Sequence, residues 1–264
     1  MFDANSHTFV ICAYKESEYL EECIQSLLNQ KVKTNVILAT STPNEHIESL
    51  CKKYNIEMFV NTGETGITQD WNFAVSMCKT PIVTIAHQDD VYFEDYTKVL
   101  LERANEAKRP IIFFTDYCEI REGKKVYENE ILKVKRFLLK PLKVKAFQKS
   151  KWWRRRVLSM GSPICCPAVS YFMDNLQTPI FKNHFRTDED WEAWEYLSKF
   201  KGEFLFEKTV QMGHRIHAES ETSAAINETG RYDEDLEMYR KFWPDFIAKR
   251  LCKAYQKSEK SNSL

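Results

Sequence analysis

Two adjacent carboxylates, Asp89 and Asp90, follow directly on a short apolar run, "PIVTIA" at residues 81–86. Like charges side by side repel each other, so their place at the end of a buried strand calls for a compensating charge. A divalent cation supplies it, and hard oxygen ligands suit Mg2+ or Mn2+. Such an ion is usually shared between carboxylates and substrate phosphates. The same pair would also serve as a solvated turn, or as the cap of a helix opening in "YFEDY". A second cluster, "MGHRIHAESET" at 212–222, gathers His214, Arg215 and His217 within four residues. A third stretch, "TDEDWEAW" at 187–194, reads as a capping box with Thr187 as N-cap and Asp190 three residues on.

The elements that must hold these groups follow from hydrophobic periodicity. Residues 8–13 ("TFVICA") read as a strand. Ser17 is the expected N-cap of a helix carrying Leu20, Cys23, Ile24, Leu27 and Leu28 on one face. Residues 35–40 and 57–60 are the next strands, separated by a helix that Asn44 caps. The turn-rich "NTGETGITQ" opens a helix with Trp71, Ala74, Val75 and Cys78. Strands at 81–86 and 110–115 flank a helix at 94–107. Alternating strands and helices of this kind predict an α/β fold with a largely parallel sheet and helices on both faces. Ligands bind such sheets at the carboxyl ends of the strands, which is where Asp89 and Asp90 fall.

The phosphate chemistry is not of the glycine-cradle kind. No G-x-x-x-x-G-K-[ST] occurs, and no G-x-G-x-x-G follows the first strand; "CAYKESEYL" stands there instead. The chain has only 7 Gly. Metal and side chains would therefore handle the phosphate charge.

The ordered set of motifs resembles family-2 glycosyltransferases. "FVICAYKESEYLEECIQSLLNQ" is similar to the family's opening strand and helix. "NTGETGITQDWNFAVSMCKTPIVTIAHQDD" is similar to its Asn-x-Gly loop, Asn-bearing helix and paired-Asp strand end, and "TDEDWEAW" to its later Glu-Asp motif. The similarity covers residues 8–220. It implies a GT-A fold over 1–220, with a nucleotide-sugar half (about 1–125) and an acceptor half (about 126–220). Residues 221–264 would form a C-terminal helical extension.

The resemblance also implies inverting transfer of a hexose or deoxyhexose from a nucleoside diphosphate, a UDP- or dTDP-sugar, to an acceptor hydroxyl in cell-surface polysaccharide synthesis. Position by position, Ala13, Tyr14 and Glu16 would border the base, with Thr40 and Ser41 beside them. Asp70 and Asn72 would face the donor. Asp89 would hold metal and diphosphate together with Asp90, with Arg215 on the diphosphate and His217 completing the metal shell. Asp190 would be the general base. Two departures stand out. The second strand ends in Ala39-Thr40-Ser41-Thr42 where the family often has Asp-Asp-Gly-Ser, and His87 occupies the place of an Asp two residues before the pair.

Composition agrees with a folded enzyme: 264 residues, 43% hydrophobic and 13% aromatic, net charge zero. Neither that balance nor any fold motif points to nucleic acid. Eight Cys without a C-x-x-C pair read as buried, reduced thiols. With no signal peptide and no bilayer-length apolar run, the expected location is cytoplasmic. The zero net charge hides an asymmetry: residues 133–156 hold eleven Lys or Arg and no Asp or Glu, interleaved with Leu, Val, Phe and Trp. That segment reads as a solvated face or, given the family's lipid-linked acceptors, as a peripheral contact with the inner face of the membrane. After residue 227, two short helices divided near Pro244 and a polar tail are expected. The rival readings are a nucleotidyltransferase, which would want a Gly/Arg/Lys-rich loop after the first strand, and a non-catalytic sugar-nucleotide-binding module.

Overall fold

The computed structural model describes residues 1–217 and 231–260. The end of the 212–222 cluster and the tail after residue 260 lie outside the described residues. The first half runs β1 (His7–Ala13), α1 (Leu20–Leu28), β2 (Asn35–Thr40), α2 (Glu45–Tyr54), β3 (Glu57–Val60), α3 (Ile67–Met77) and β4 (Ile82–His87). A two-residue β5 (Val91–Tyr92), α4 (Tyr96–Glu106) and a hairpin of β6 (Pro110–Arg121) and β7 (Lys124–Val126) follow. The covering helices are α5 (Glu130–Leu139), α6 (Lys145–Gln148) and α7 (Lys151–Leu158). Then come β8 (Val169–Phe172), α8 (Glu189–Leu197), β9 (Glu203–Ile216), α9 (Arg231–Arg240) and α10 (Asp245–Lys260).

The strands form one sheet in the order β3-β2-β1-β4-β8-β6-β9-β5, with β7 on β6. β1 pairs in parallel with β2 and β4, and β2 with β3. β8 is inserted antiparallel between β4 and β6. β9 then runs parallel to β6. The expected α/β sheet flanked by helices is present, but it is mixed: four strand pairings are parallel and four antiparallel. Successive strand residues feed opposite faces. Val10, Val83, Ile85, Phe114 and Tyr171 pack on one side with Trp191 and Trp194 of α8. Phe9, Ile11, Ile82, Ala86, Phe113 and Phe172 pack on the other with α1, α2 and α4. Between β4 and β8 the interior is polar but paired: Thr84, Ser170 and Tyr96 form a hydroxyl chain, and His7 Nε2 lies 2.8 Å from Thr84.

Two local expectations are corrected. α1 begins at Leu20 with Tyr19 at the cap position and no side-chain cap. Ser17 instead lies in the preceding turn, because the left-handed Lys15 (φ 56°) donates its N–H to Thr42 and bends the chain. The capping box at 187–190 does not form either. Asp188 takes the cap position without a side-chain bond, and the Thr187 hydroxyl donates to Glu234 at 2.6 Å, drawn off by a tertiary partner. Asn44 does cap α2, accepting from the Ile47 N–H.

Candidate active site

The carboxylate pair sits just past the carboxyl end of β4, at the centre of the sheet. Asp90 is fully buried. Its Oδ1 accepts the Arg215 backbone N–H at 2.8 Å and lies 3.0 Å from His214 Nδ1. Asp89 Oδ2 lies 2.9 Å from His217 Nε2, and the Asp89 carbonyl accepts from Arg215 Nε. The far end of β9 thus holds both aspartates. It can close on β6 there because Gly213 has no side chain: a Cβ would come within 2.7 Å of Ile120.

Electrostatics favour a cation. Burial pushes the Asp89 carboxyl up, but His87, the His217 hydrogen bond and His214 outweigh it and hold it below its ordinary value. Burial lowers His87, with Asp90 and Asp89 opposing the fall. Its Nε2 is buried without a hydrogen-bond partner, and its ring stacks on Trp71. One ligand atom from each of His87, Asp89 and Asp90 falls within a 4.8 Å group. An imidazole nitrogen grouped with two carboxylate oxygens fits a divalent ion such as Mn2+, which accepts both donor types. His87, whose role the sequence left open, belongs to that group. His217 touches it through Asp89.

The other expected residues fall into three groups. At the mouths of β1 and β2, Ala13 is buried and Glu16 exposed, while the half-exposed Tyr14 exchanges two hydrogen bonds with Gln88. Thr40 accepts from the Thr42 N–H, and Ser41 donates to Asp70, which Asn61 also contacts at 2.7 Å. A carboxylate missing from the end of β2 is therefore supplied beside it by α3. Asn72 points elsewhere, exchanging two bonds with the backbone of Phe181. Arg215 is braced by Glu22 at 2.5 Å and stacks on Tyr19.

Asp190 stands in the first turn of α8, its Oδ1 accepting the Trp191 N–H. Burial raises its carboxyl to about 6, with Lys135 of α5 opposing the rise. The thiols of Cys165 and Cys166, before β8, feel the charges of both Asp90 and Asp190. His214, the partner of Asp90, was visible only as one histidine of a cluster, and Lys135 was concealed in the basic run.

The basic run is divided: Lys133, Lys140, Lys143, Lys145, Lys149 and Lys151 are exposed, six of its eleven cations, while others are tied to the body of the protein. Arg136 pairs with Asp116, Lys145 with Glu106 and Arg155 with Glu195. The buried Arg154 donates to the carbonyls of Gly202 and Phe200. On the outward side, Phe137 and Trp152 (63% and 57% exposed) edge a groove with Lys140 and Arg156. All eight cysteines are free, and no helix among the described residues is long and apolar enough to cross a membrane.

A mixed sheet flanked by helices, with an acidic pair just past its central strand β4, has the architecture of the GT-A glycosyltransferase fold. The chain belongs to glycosyl transferase family 2, whose model matches residues 8–160. Among solved structures it is similar to S. aureus TarS 1-349, at 11% identity and a TM-score of 0.62, covering 93% of this chain and 69% of that one. It is also similar to the same fragment in complex with UDP-GlcNAc, at 14% identity and 0.60, covering 97% and 73%. At those identities the likeness is one of fold. No curated protein matches in sequence.

Proposed function

We propose that the protein transfers a sugar from a nucleoside diphosphate, a UDP- or dTDP-sugar, to the hydroxyl of a glycan or lipid-linked acceptor with inversion, in cell-surface polysaccharide synthesis. The observation that carries this reading is the grouping of His87, Asp89 and the buried Asp90 at and just past the carboxyl end of β4. Asp190 takes the proton of the acceptor hydroxyl as its oxygen attacks the anomeric carbon. A positioned base of this kind contributes about 10²–10⁴-fold. The bond to the diphosphate breaks on the opposite face, and its electron pair stays with the leaving oxygen. His87, Asp89 and Asp90 would hold Mn2+ or Mg2+, which when bound offsets the diphosphate charge. The Ser41–Asp70–Asn61 cluster lies at the strand ends where base or ribose would be read, beside Ala13, Tyr14, Glu16 and Thr40. The proposed division is a donor half to about residue 125, an acceptor half to 220 and a C-terminal extension.

A cytoplasmic place at the inner membrane face is supported by the outward Phe137–Trp152 groove and its cations, each worth ~1 kcal/mol near anionic lipid. Phosphatidylglycerol vesicles should then sediment the protein, phosphatidylcholine vesicles should not, and Phe137→Ser with Trp152→Ser should abolish the difference.

Thermal-shift measurements with nucleoside diphosphates and their sugars, with and without Mn2+, test the donor site, since a selective ligand raises the melting temperature by mass action. No shift under any metal condition would remove the assignment. A ligand that binds without transfer or hydrolysis by the unmodified protein would favour the non-catalytic module.

A further inference from the structure

β1 and β4 pair in parallel as far as Cys12 and His87. There β4 turns away, the Asp90 N–H donating to the His87 carbonyl at 3.2 Å, and the turn carries Asp89 and Asp90. β1 ends at Ala13, so the next peptide, at Tyr14, has no strand beside it on that side. The side chain of Gln88 takes the place of one. Its Oε1 accepts the Tyr14 N–H at 3.0 Å, and its Nε2 donates to the Tyr14 carbonyl at 2.9 Å. An amide offers a donor and an acceptor side by side, as a peptide does. The same loop is held from the β2 side as well. Lys15 donates its N–H to Thr42 Oγ1 at 2.6 Å, and His46 Nε2 lies 3.1 Å from the Ser17 carbonyl.

These two bonds add little to stability. Gln88 is half-buried and Tyr14 is 48% exposed, so water can replace both. What they fix is position. Gln88 stands directly before Asp89, and its side chain couples the Tyr14 peptide to the turn of the acidic pair. We propose that Gln88 is a positioning residue that sets the Tyr14 loop against the Asp89–Asp90 turn, so that the nucleoside and diphosphate ends of one donor are gripped in register. The inference rests on the transferase reading above, in which Tyr14 borders the base and the acidic pair serves the diphosphate. Gln88 acts on the nucleoside through Tyr14. A glutamate in its place would set a lone pair against the Tyr14 carbonyl and add a third negative charge beside the pair.

Isothermal titration of UDP, dTDP and inorganic pyrophosphate, each with Mn2+, into the unmodified protein, Gln88→Met, Tyr14→Ala and the double variant tests this. Gln88→Met should weaken the bound nucleotide about 10-fold, the order of one aromatic–base contact. Pyrophosphate, which has no nucleoside, should bind it as before. Tyr14→Ala should weaken the nucleotide at least as much, and the double variant no further, because the two residues act as one unit. Gln88→Asn, a methylene too short to span both bonds, should repeat the result should the Met variant fold poorly. Full retention of nucleotide affinity in Gln88→Met and Gln88→Asn, an equal loss of pyrophosphate, or additive losses in the double variant would each overturn the proposal and leave the transferase reading standing. An unmodified protein that binds pyrophosphate but neither nucleotide removes the base site, and this inference with it. One that binds none of the three removes the donor reading as a whole.

Discussion

The two halves of the sheet treat charge in opposite ways. Before residue 118, Asp90 is the only carboxylate, lysine or arginine that is buried, and the remaining interior is apolar or neutral polar. Beyond it, Glu119, Arg154, Asp188, Glu189, Glu192, Glu195, Glu203, Arg215 and Asp235 all go inside. In the first half, then, a buried charge marks the site. In the second, buried charge is mostly structural: Arg154 ties α7 to the turn before β9, and Glu195 takes Arg155 and Lys199. The basic run of the second half keeps six of its eleven cations exposed, while Arg136, Arg154 and Arg155 serve as ties to the body of the protein.

The sharpest way to break this contrast is to change a buried-edge carboxylate of the second half that is assigned to chemistry. Asp190→Asn should lower turnover about 10²–10⁴-fold while nucleotide binding holds. Because burial lifts this carboxyl to about 6, kcat/KM of the unmodified enzyme should rise with pH through that value as the base ionises. A flat profile there would place Asp190 with the structural charges.

In the first half, the fully buried His7 is held neutral, burial having lowered it from 6.5 to about 3. Its folded-state value lies below the unfolded one, so stability should be full above pH 6.5 and drain away as pH falls toward 3. His7→Gln should flatten that dependence in denaturant melts. Arg154→Met should cost about 1–3 kcal/mol by stranding two buried carbonyls. A neutral result would show that the internal charges of the second half do not hold it together. The smallest effect is expected where the fold is most local: Asn44→Ala should remove about 1 kcal/mol with the cap of α2.

Legibility follows the same division. β2 and β3 have the bounds that their apolar runs predict, β4 differs by one residue, and the Asn44 cap is as expected. All of these depend on neighbours in sequence. β8 was hidden in "GSPICCPAVSYF", because a four-residue strand wedged antiparallel between β4 and β6 has no periodicity to show. β9 is interrupted by Glu207, Lys208 and Thr209, and only its long pairing with β6 makes it one strand. Asp89, Asp90 and Asp190 could be singled out by type and by motif order. The Asp90–His214 contact spans 124 residues, and Lys135 is one of eleven similar cations until the fold sets it beside Tyr117.

The grip of β9 on the acidic pair has a consequence for dissection. The groups that pair with Asp90 and Asp89 come from positions 214–217, at the end of β9 and the residue after it. A fragment ending near residue 125 would keep β1 to β4 but leave Asp89 and Asp90 without these partners. The first half of the sheet is thus not an autonomous cassette that can be cut out or grafted; its completion waits for the last strand of the sheet.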